Sequence, residues 1–173
     1  MPELPSRRRL ETASHQACSW GVRASPCSGE VTITRYACVD DVGRCINPLI
    51  VDGQTHGAIG QGVGQAMWEH VHLDPDSGQP LSGSLMDYGL PRADLLPSFT
   101  TRIAEVLSPT NPLGIKAGGE GGTTAAPAAV ISAIVDALQE FGVRDVKMPA
   151  TSYRIWRLIQ DAKAESGNDA KRG

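Results

Sequence analysis

The chain has 173 residues, enough for one domain with a substantial core, and 40% hydrophobic with 20% charged residues is a globular composition. The formal net charge is −3, and lysine and arginine form no broad stripe, so we expect no nucleic-acid partner. No apolar run approaches the roughly 20 residues of a membrane-spanning helix. We therefore expect a cytoplasmic protein without membrane association.

The cysteines do not have the spacing of a metal site. Their gaps fit neither a C-x-x-C pair nor a zinc ribbon, so buried or incidental thiols are predicted and no side chain is assigned as a metal ligand. The four are Cys18, Cys27, Cys38 and Cys45. Nineteen glycines and 12 prolines predict many loops, and backbone that approaches a neighbour or a ligand closely.

The chain divides into three parts by pattern. Residues 1–28 have neither strand nor helix periodicity and are predicted to be an irregular, disordered leader. The main domain is predicted over 29–162, followed by a polar, frayed tail over 163–173. Its first element is a strand over 30–39, where β-branched or aromatic residues alternate with polar ones.

A helix is predicted after Asn47-Pro48, because apolar residues recur every four positions. Four glycines interrupt its 56–65 segment, and each costs a helix interior about 0.5–1 kcal/mol relative to alanine. Close packing against another backbone would explain them, and Gln61 would then be an ordinary surface residue. Contact with a flat ligand is the alternative, with Gln61 offering its amide across a bare glycine face.

The remaining elements alternate in type. We predict a hairpin over 71–85, a strand over 99–106, a helix capped by Thr123 or Thr124 with Pro127 in its first turn, a short strand over 143–148, and a last helix from Thr151 or Ser152. The order of strands and helices indicates a mixed α/β arrangement, with mostly antiparallel pairing.

The loop before the second long helix is the most distinctive segment. Four glycines flank Glu120 there, and N–H groups without neighbouring side chains can approach an anion or an oxo group closely. A glutamate in a tight, apolar loop suits a general base. The alternative is a surface loop with a solvated glutamate. A P-loop is excluded, since Lys116 is followed by Ala117.

Four motifs carry a resemblance to a known family. Residues 40–48 look like D-D-x-G-x-x-I-N-P, and residues 52–65 resemble G-Q-x-x-G-G-x-x-Q-G-x-G-Q. Residues 86–92 are similar to M-D-Y-x-x-P-R, and residues 110–122 to T-N-P-x-G-x-K-G-x-G-E-x-G. The family is the large, molybdopterin-binding subunit of molybdenum hydroxylases, which include xanthine dehydrogenases, aldehyde oxidoreductases and aerobic carbon monoxide dehydrogenases.

The resemblance implies an α+β fold, the C-terminal lobe of a molybdenum-cofactor-binding domain in which a mixed sheet packs with helices. The implied cofactor is molybdenum-molybdopterin in its cytosine dinucleotide form. The remaining part of the large subunit would come from another chain, and partner subunits would carry iron–sulfur clusters and FAD. The implied activity is hydroxylation of a small-molecule substrate: an aldehyde, an N-heterocycle or a carbon monoxide-type substrate.

Site residues follow from the resemblance position by position. It implies that Glu120 is the catalytic base, and that the glycines before it bring backbone next to the metal. An earlier segment, around Gln61, matches the one that contacts the pterin. The positions implied in cofactor binding are Gln61, Gly62, Gly64, Gly118 and Gly119.

The chain also departs from the family. Relatives are several times longer, and residues 1–28 do not match the alternating strand that relatives have there. The isolated chain is therefore expected to be incompetent, because a pocket built from several lobes is not completed by one. The alternative is an orphaned domain that folds, forms a homodimer through exposed core surface and catalyses nothing. A nucleotide-binding module using the loop at 114–122 is a third hypothesis.

Overall fold

Three strands form one mixed sheet in the order β1-β2-β3. The strands are β1 (Ala17–Ala24), β2 (Val31–Asp41) and β3 (Phe99–Ala104). The first pair is antiparallel, and β3 runs parallel to β2. The computed structural model describes residues 17–169. Parallel pairing of β2 with β3 follows from the long crossover between them, which contains the first helix.

The long helices are α1 (Pro48–Met67), α2 (Gly121–Leu138) and α3 (Ser152–Asp169), and short 3₁₀ turns lie at Ala93–Leu95 and Gln139–Phe141. The side-chain oxygen of Asn47 accepts from the N–H of Ile50 at 3.2 Å and caps α1, which begins where a helix was predicted. Pro48 occupies the first helical turn, where its missing N–H costs nothing. The predicted α+β fold with a mixed sheet is confirmed.

The core lies between the sheet and the helices. Tyr36 and Cys38 point inward from β2, and α1 contributes Ile59 and Val63 at the predicted four-residue spacing. The α2 helix packs against both α1 and β1. The buried core residues of the last two helices are Val130, Ile134, Leu138, Ile155 and Ile159.

Residues 17–24 correct the prediction of an irregular leader. They form β1, which pairs with β2 over its whole length, from Ala17 opposite Val39 to Ala24 opposite Val31. Apolar and polar residues do alternate along this strand, but the run is short and contains a glycine. A bulge lies at Gly21, where a Cβ would be 2.6 Å from the hydroxyl oxygen of Thr34. Residues 1–16 lie outside the described residues.

Three further predictions are corrected. The predicted strand over 143–148 has no strand pairing, although Val143 and Val146 are buried in the core. The predicted tail over 163–173 is helical as far as Asp169. The predicted hairpin over 71–85 reduces to one bridge between Leu73 and Pro80. Short apolar runs do not by themselves determine whether a pairing partner is available.

The α2 helix begins earlier than predicted, at Gly121, so Glu120 is its N-cap residue and Pro127 lies inside the helix. The stretch Gly121–Phe141 is long and apolar enough to cross a membrane by length and composition, contrary to the expectation from the sequence. Its packing against α1 and β1 accounts for that composition, because a helix covered on two sides needs a wide apolar face.

Candidate cofactor-binding and catalytic site

The two glycine-rich segments meet where α1 crosses α2. A Cβ on Gly62 would lie 2.7 Å from the Cβ of Ala126, and one on Gly122 would lie 2.9 Å from the carbonyl oxygen of Thr55. Both distances are too short for a real side chain, so the helices approach at a pair of glycines, one from each. This contact places the start of α2, and Glu120 with it, beside the middle of α1.

Polar contacts hold the loop before α2 against the end of β2. The amide of Asn111 both donates to and accepts from the backbone of Ile115, at 2.9 and 3.1 Å. The backbone N–H of Lys116 donates to the carbonyl of Val42 at 2.9 Å, and its ammonium group forms an ion pair with Asp41. The loop is therefore an ordered segment with long-range anchors.

Asp41 is the centre of this anchoring. Its carboxylate accepts from Lys116, from the N–H of Gly43 at 2.9 Å and from the N–H of Val106 at 3.3 Å. The hydrogen bond from Lys116, followed by that from Gly43, lowers the pKa of Asp41 below its usual value of 3.8, because both favour the charged form. The carboxylate therefore stays charged throughout the neutral range. We call its contacts with Lys116, Gly43 and Val106 the Asp41 clamp.

A buried polar cluster attaches α1 to β2 behind the site. Asp40 is 3% exposed, and its two carboxylate oxygens accept from the thiol of Cys38 at 3.2 Å and from the hydroxyl of Thr55 at 3.0 Å. A buried carboxylate requires such donors, because leaving it without hydrogen bonds is costly. The cluster fixes α1 at the level where Gly122 contacts it.

Glu120 has its side chain exposed at the N-terminus of α2. Its backbone carbonyl accepts from both the N–H and the hydroxyl of Thr124, each at 3.0 Å, while its carboxylate forms no capping hydrogen bond. The carboxylate is thus not used in holding the helix. The tight, apolar setting expected from the sequence is not formed by the described residues, because the glycines around Glu120 leave its side chain open.

Gln54 is a site residue that the sequence did not single out. Its Nε2 atom donates to the carbonyl oxygen of Gly119 at 2.9 Å and so links α1 to the residue before Glu120. Gln61, two turns further along α1, lies near the start of α2, with its Oε1 atom 3.5 Å from the hydroxyl of Thr123. A glutamine on an exposed helix face gave no signal that would have distinguished Gln54 from Gln65.

The glycines predicted to bind the cofactor divide into two groups. Gly62 faces α2, a Cβ on Gly64 would lie 2.8 Å from Pro91, and one on Gly118 would lie 2.8 Å from Val42. The missing side chains of these three glycines are therefore explained by close packing within the chain. Gly119 is open: a Cβ there would meet nothing within 4 Å. Contact of any of the four with a cofactor stays a prediction.

The residues present fit a flat cofactor as one wall of its pocket. Gly53 and Gly57, one turn apart on the exposed face of α1, would also accept a Cβ without contact within 4 Å, so bare backbone is presented there as well as at Gly119. The amides of Gln54 and Gln61 lie along the same helix. Open backbone with a few polar groups is the lining that a planar, polar ligand requires.

Comparison with known proteins identifies the family. A family model described as Molybdopterin cofactor-binding domain matches residues 6–97, which includes residues of the leader that the sequence interpretation had left outside the match. The large chain of carbon monoxide dehydrogenase from Hydrogenophaga pseudoflava is 36% identical over 134 residues, covering 78% of this chain. The nicotine 6-hydroxylase large subunit of Paenarthrobacter nicotinovorans is 38% identical over 139 residues, covering 80%.

Solved structures give the same result. Quinoline 2-oxidoreductase from Pseudomonas putida 86 superposes with a TM-score of 0.79 at 39% identity, over 84% of this chain and 18% of that one. A Cu,Mo-CO dehydrogenase superposes with a TM-score of 0.80 at 28% identity, over 86% and 18%. The chain belongs to the molybdopterin-binding subunits of the xanthine oxidase family, a family of oxidoreductases. It spans 17% of the length of the curated relatives above.

Proposed function

We propose that this chain supplies one wall of the cofactor pocket of a molybdenum hydroxylase, with Glu120 as the general base. The observation that carries the proposal is the helix crossing at Gly62 and Gly122. It holds an exposed carboxylate, which no capping hydrogen bond occupies, next to the open glycine face of α1. Such a site requires at least a base and, next to it, open backbone against which a cofactor can lie.

The chain's own residues have separate roles in this proposal. The cofactor contacts Gln61 and the backbone around Gly118 and Gly119. The missing side chains of Gly62 and Gly64 let the backbone of α1 lie close to α2 and to Pro91. When bound, the molybdenum cofactor, in its cytosine dinucleotide form, supplies two-electron oxidation of the substrate carbon. Glu120 accepts a proton on a carboxylate oxygen, and a single carboxylate suffices because a metal centre already acidifies what it binds.

The desolvation that Glu120 lacks in this chain comes, in our proposal, from a partner. Ile46, Leu49 and Ile50, at the start of α1, are 68%, 82% and 67% exposed. They follow Arg44, whose N–H donates to the carbonyl of Gly114 at 3.0 Å, so this apolar surface adjoins the Glu120 loop. The remaining part of the large subunit would cover it and close the pocket.

The substrate class follows from the same family. We propose a small electrophilic substrate, either an aldehyde, an N-heterocycle or a molecule of the carbon monoxide type, in a cytoplasmic complex whose other subunits carry iron–sulfur clusters and FAD. Relatives named for carbon monoxide, nicotine and xanthine support this range. The enzyme would be active only as that complex, not as this chain alone.

The test is Glu120→Gln in the enzyme assembled with the remaining part of the large subunit. The variant should lose at least about 100-fold in turnover, the usual contribution of a general base. Its molybdenum content, measured by elemental mass spectrometry, should equal that of the wild type, because the amide has the same shape. Glu140→Gln, at an exposed position beyond α2, is the matched control. Unreduced turnover in Glu120→Gln would refute the assignment.

A second candidate is a folded, catalytically inactive domain, and the exposed apolar surface at the start of α1 supports it. In that case the surface at Ile46, Leu49 and Ile50 would be covered by a second copy. Molybdenum content and mass of the protein purified from its native host separate the two candidates. Near-stoichiometric metal with a co-purifying chain supports the hydroxylase. A metal-free homodimer supports the inactive domain.

A further inference from the structure

We propose that Gln54 is a positioning residue that fixes the orientation of the peptide group between Gly119 and Glu120. Its Nε2 atom donates to the carbonyl oxygen of Gly119 at 2.9 Å, across 65 positions of sequence. The importance of this orientation for catalysis rests on the proposed function of Glu120 as a general base. The orientation itself is a property of the chain alone and is measurable without any cofactor.

This peptide group needs an external contact because Gly119 itself does little to restrict it. A Cβ on Gly119 would meet nothing within 4 Å, and glycine imposes little backbone preference of its own. The Cα–C bond of Gly119 is one of the two bonds about which the peptide plane turns, and Gly119 has no Cβ that would restrict this rotation. A hydrogen bond of ordinary strength shifts the ratio of two orientations by about 2- to 12-fold.

The peptide group on the other side of Glu120 is already fixed by the helix. The carbonyl oxygen of Glu120 accepts from the N–H and the hydroxyl of Thr124, each at 3.0 Å. The direction of the Cα–Cβ bond of Glu120, and hence the reach of its carboxylate, depends on both flanking peptide planes. Gln54 holds the plane that α2 does not hold.

The orientation also decides which backbone group faces α1. The C=O and N–H groups of a trans peptide point in opposite directions. With the Gly119 carbonyl held toward Gln54, the N–H of Glu120 points away from α1. The opposite orientation would present a carbonyl oxygen there instead. Gln54 therefore determines that the carbonyl oxygen of Gly119 faces α1 and that the N–H of Glu120 faces away from it.

The experiment uses the whole chain, labelled with ¹⁵N, for solution NMR. Reorientation of this peptide group changes the φ angle of Glu120, which is −118° in the structure. The three-bond coupling between the N–H and Hα protons of Glu120 reports that angle, and the same couplings in α1 and α2 report the fold. Gln54→Glu removes the donor but keeps the shape, whereas Gln54→Lys keeps a donor. Gln79→Glu makes the same chemical change at an exposed glutamine elsewhere, and it serves as the control.

We expect the Glu120 coupling to fall in Gln54→Glu, because a φ of −118° lies near the maximum of this coupling and any other value lowers it. The coupling should stay near the wild-type value in Gln54→Lys and Gln79→Glu. An unchanged coupling in Gln54→Glu would overturn the proposal. So would an equal change in the lysine variant, because the donor would then not be the cause. Glu120→Gln should leave the coupling unchanged, so a failure of the proposed catalytic role is distinguishable from a failure of this inference.

Discussion

The two glycine-rich segments are held in different ways. The segment in α1 is part of the core: Gly62 contacts α2 and Gly64 contacts Pro91. The loop before α2 is held by polar contacts, chiefly the ion pair of Lys116 with Asp41 and the hydrogen bond from Gln54. The difference teaches that glycines of both segments, Gly62 and Gly122, let the helices pack, whereas polar contacts hold the loop that leads to Glu120.

The largest effect is expected at the helix crossing. Gly62→Ala should lower the free energy of unfolding by about 1–3 kcal/mol, because the new Cβ overlaps Ala126 and the backbone of Thr123. Gly57→Ala is the matched control in the same helix. Its Cβ meets nothing within 4 Å, so it should raise stability by about 0.5–1 kcal/mol through helix propensity. Urea denaturation measures both, and equal shifts would contradict the division of these glycines.

A smaller effect is expected at the buried cluster behind the crossing. Thr55→Val removes the hydroxyl that donates to Asp40 at 3.0 Å and should cost about 1–2 kcal/mol, because the carboxylate loses a donor in a buried place. Thr124→Val removes an exposed hydroxyl from the carbonyl of Glu120 and should cost less than about 0.5 kcal/mol. Thermal unfolding of the two variants tests whether burial makes the difference.

The smallest effect, in the loop, depends on pH. The pKa of Asp41 is lowered in the folded chain, chiefly by the hydrogen bond from Lys116, so the contribution of the clamp is fully present above the unfolded value of 3.8. It is lost as the pH falls below 3.8 through the lowered folded value. The stability difference between wild type and Asp41→Asn should therefore be constant down to about pH 4 and shrink as the pH falls to about 3, as measured by urea titration at each pH.

A matched variant distinguishes the clamp from general acid sensitivity. Asp87→Asn changes an exposed carboxylate whose described side-chain contact is with Ser84 and which lies outside the loop. It should leave the pH dependence at that of the wild type. A stability difference for Asp41→Asn that stays constant down to pH 3 would indicate that the ion pair with Lys116 contributes nothing to folding.

Much of the fold was predictable because its signals are local. Asn47-Pro48 predicted the start of α1, the spacing of Ile59 and Val63 predicted its buried face, and the alternation over 30–39 predicted β2. These patterns depend on helix and strand geometry alone. The predicted strand over 143–148 failed for the opposite reason, since a strand requires a neighbour that no local pattern specifies.

The sequence by itself determined the family, through four motifs in order, and it identified Glu120 as the residue to examine. Only the tertiary structure decided what each glycine does, because a missing Cβ means packing or exposure depending on what lies opposite. It also brought Gln54 to Gly119, a contact made by the crossing of two helices far apart in the chain. Sequence spacing encodes which residues share a helix face, whereas the partner of that face is set by the fold.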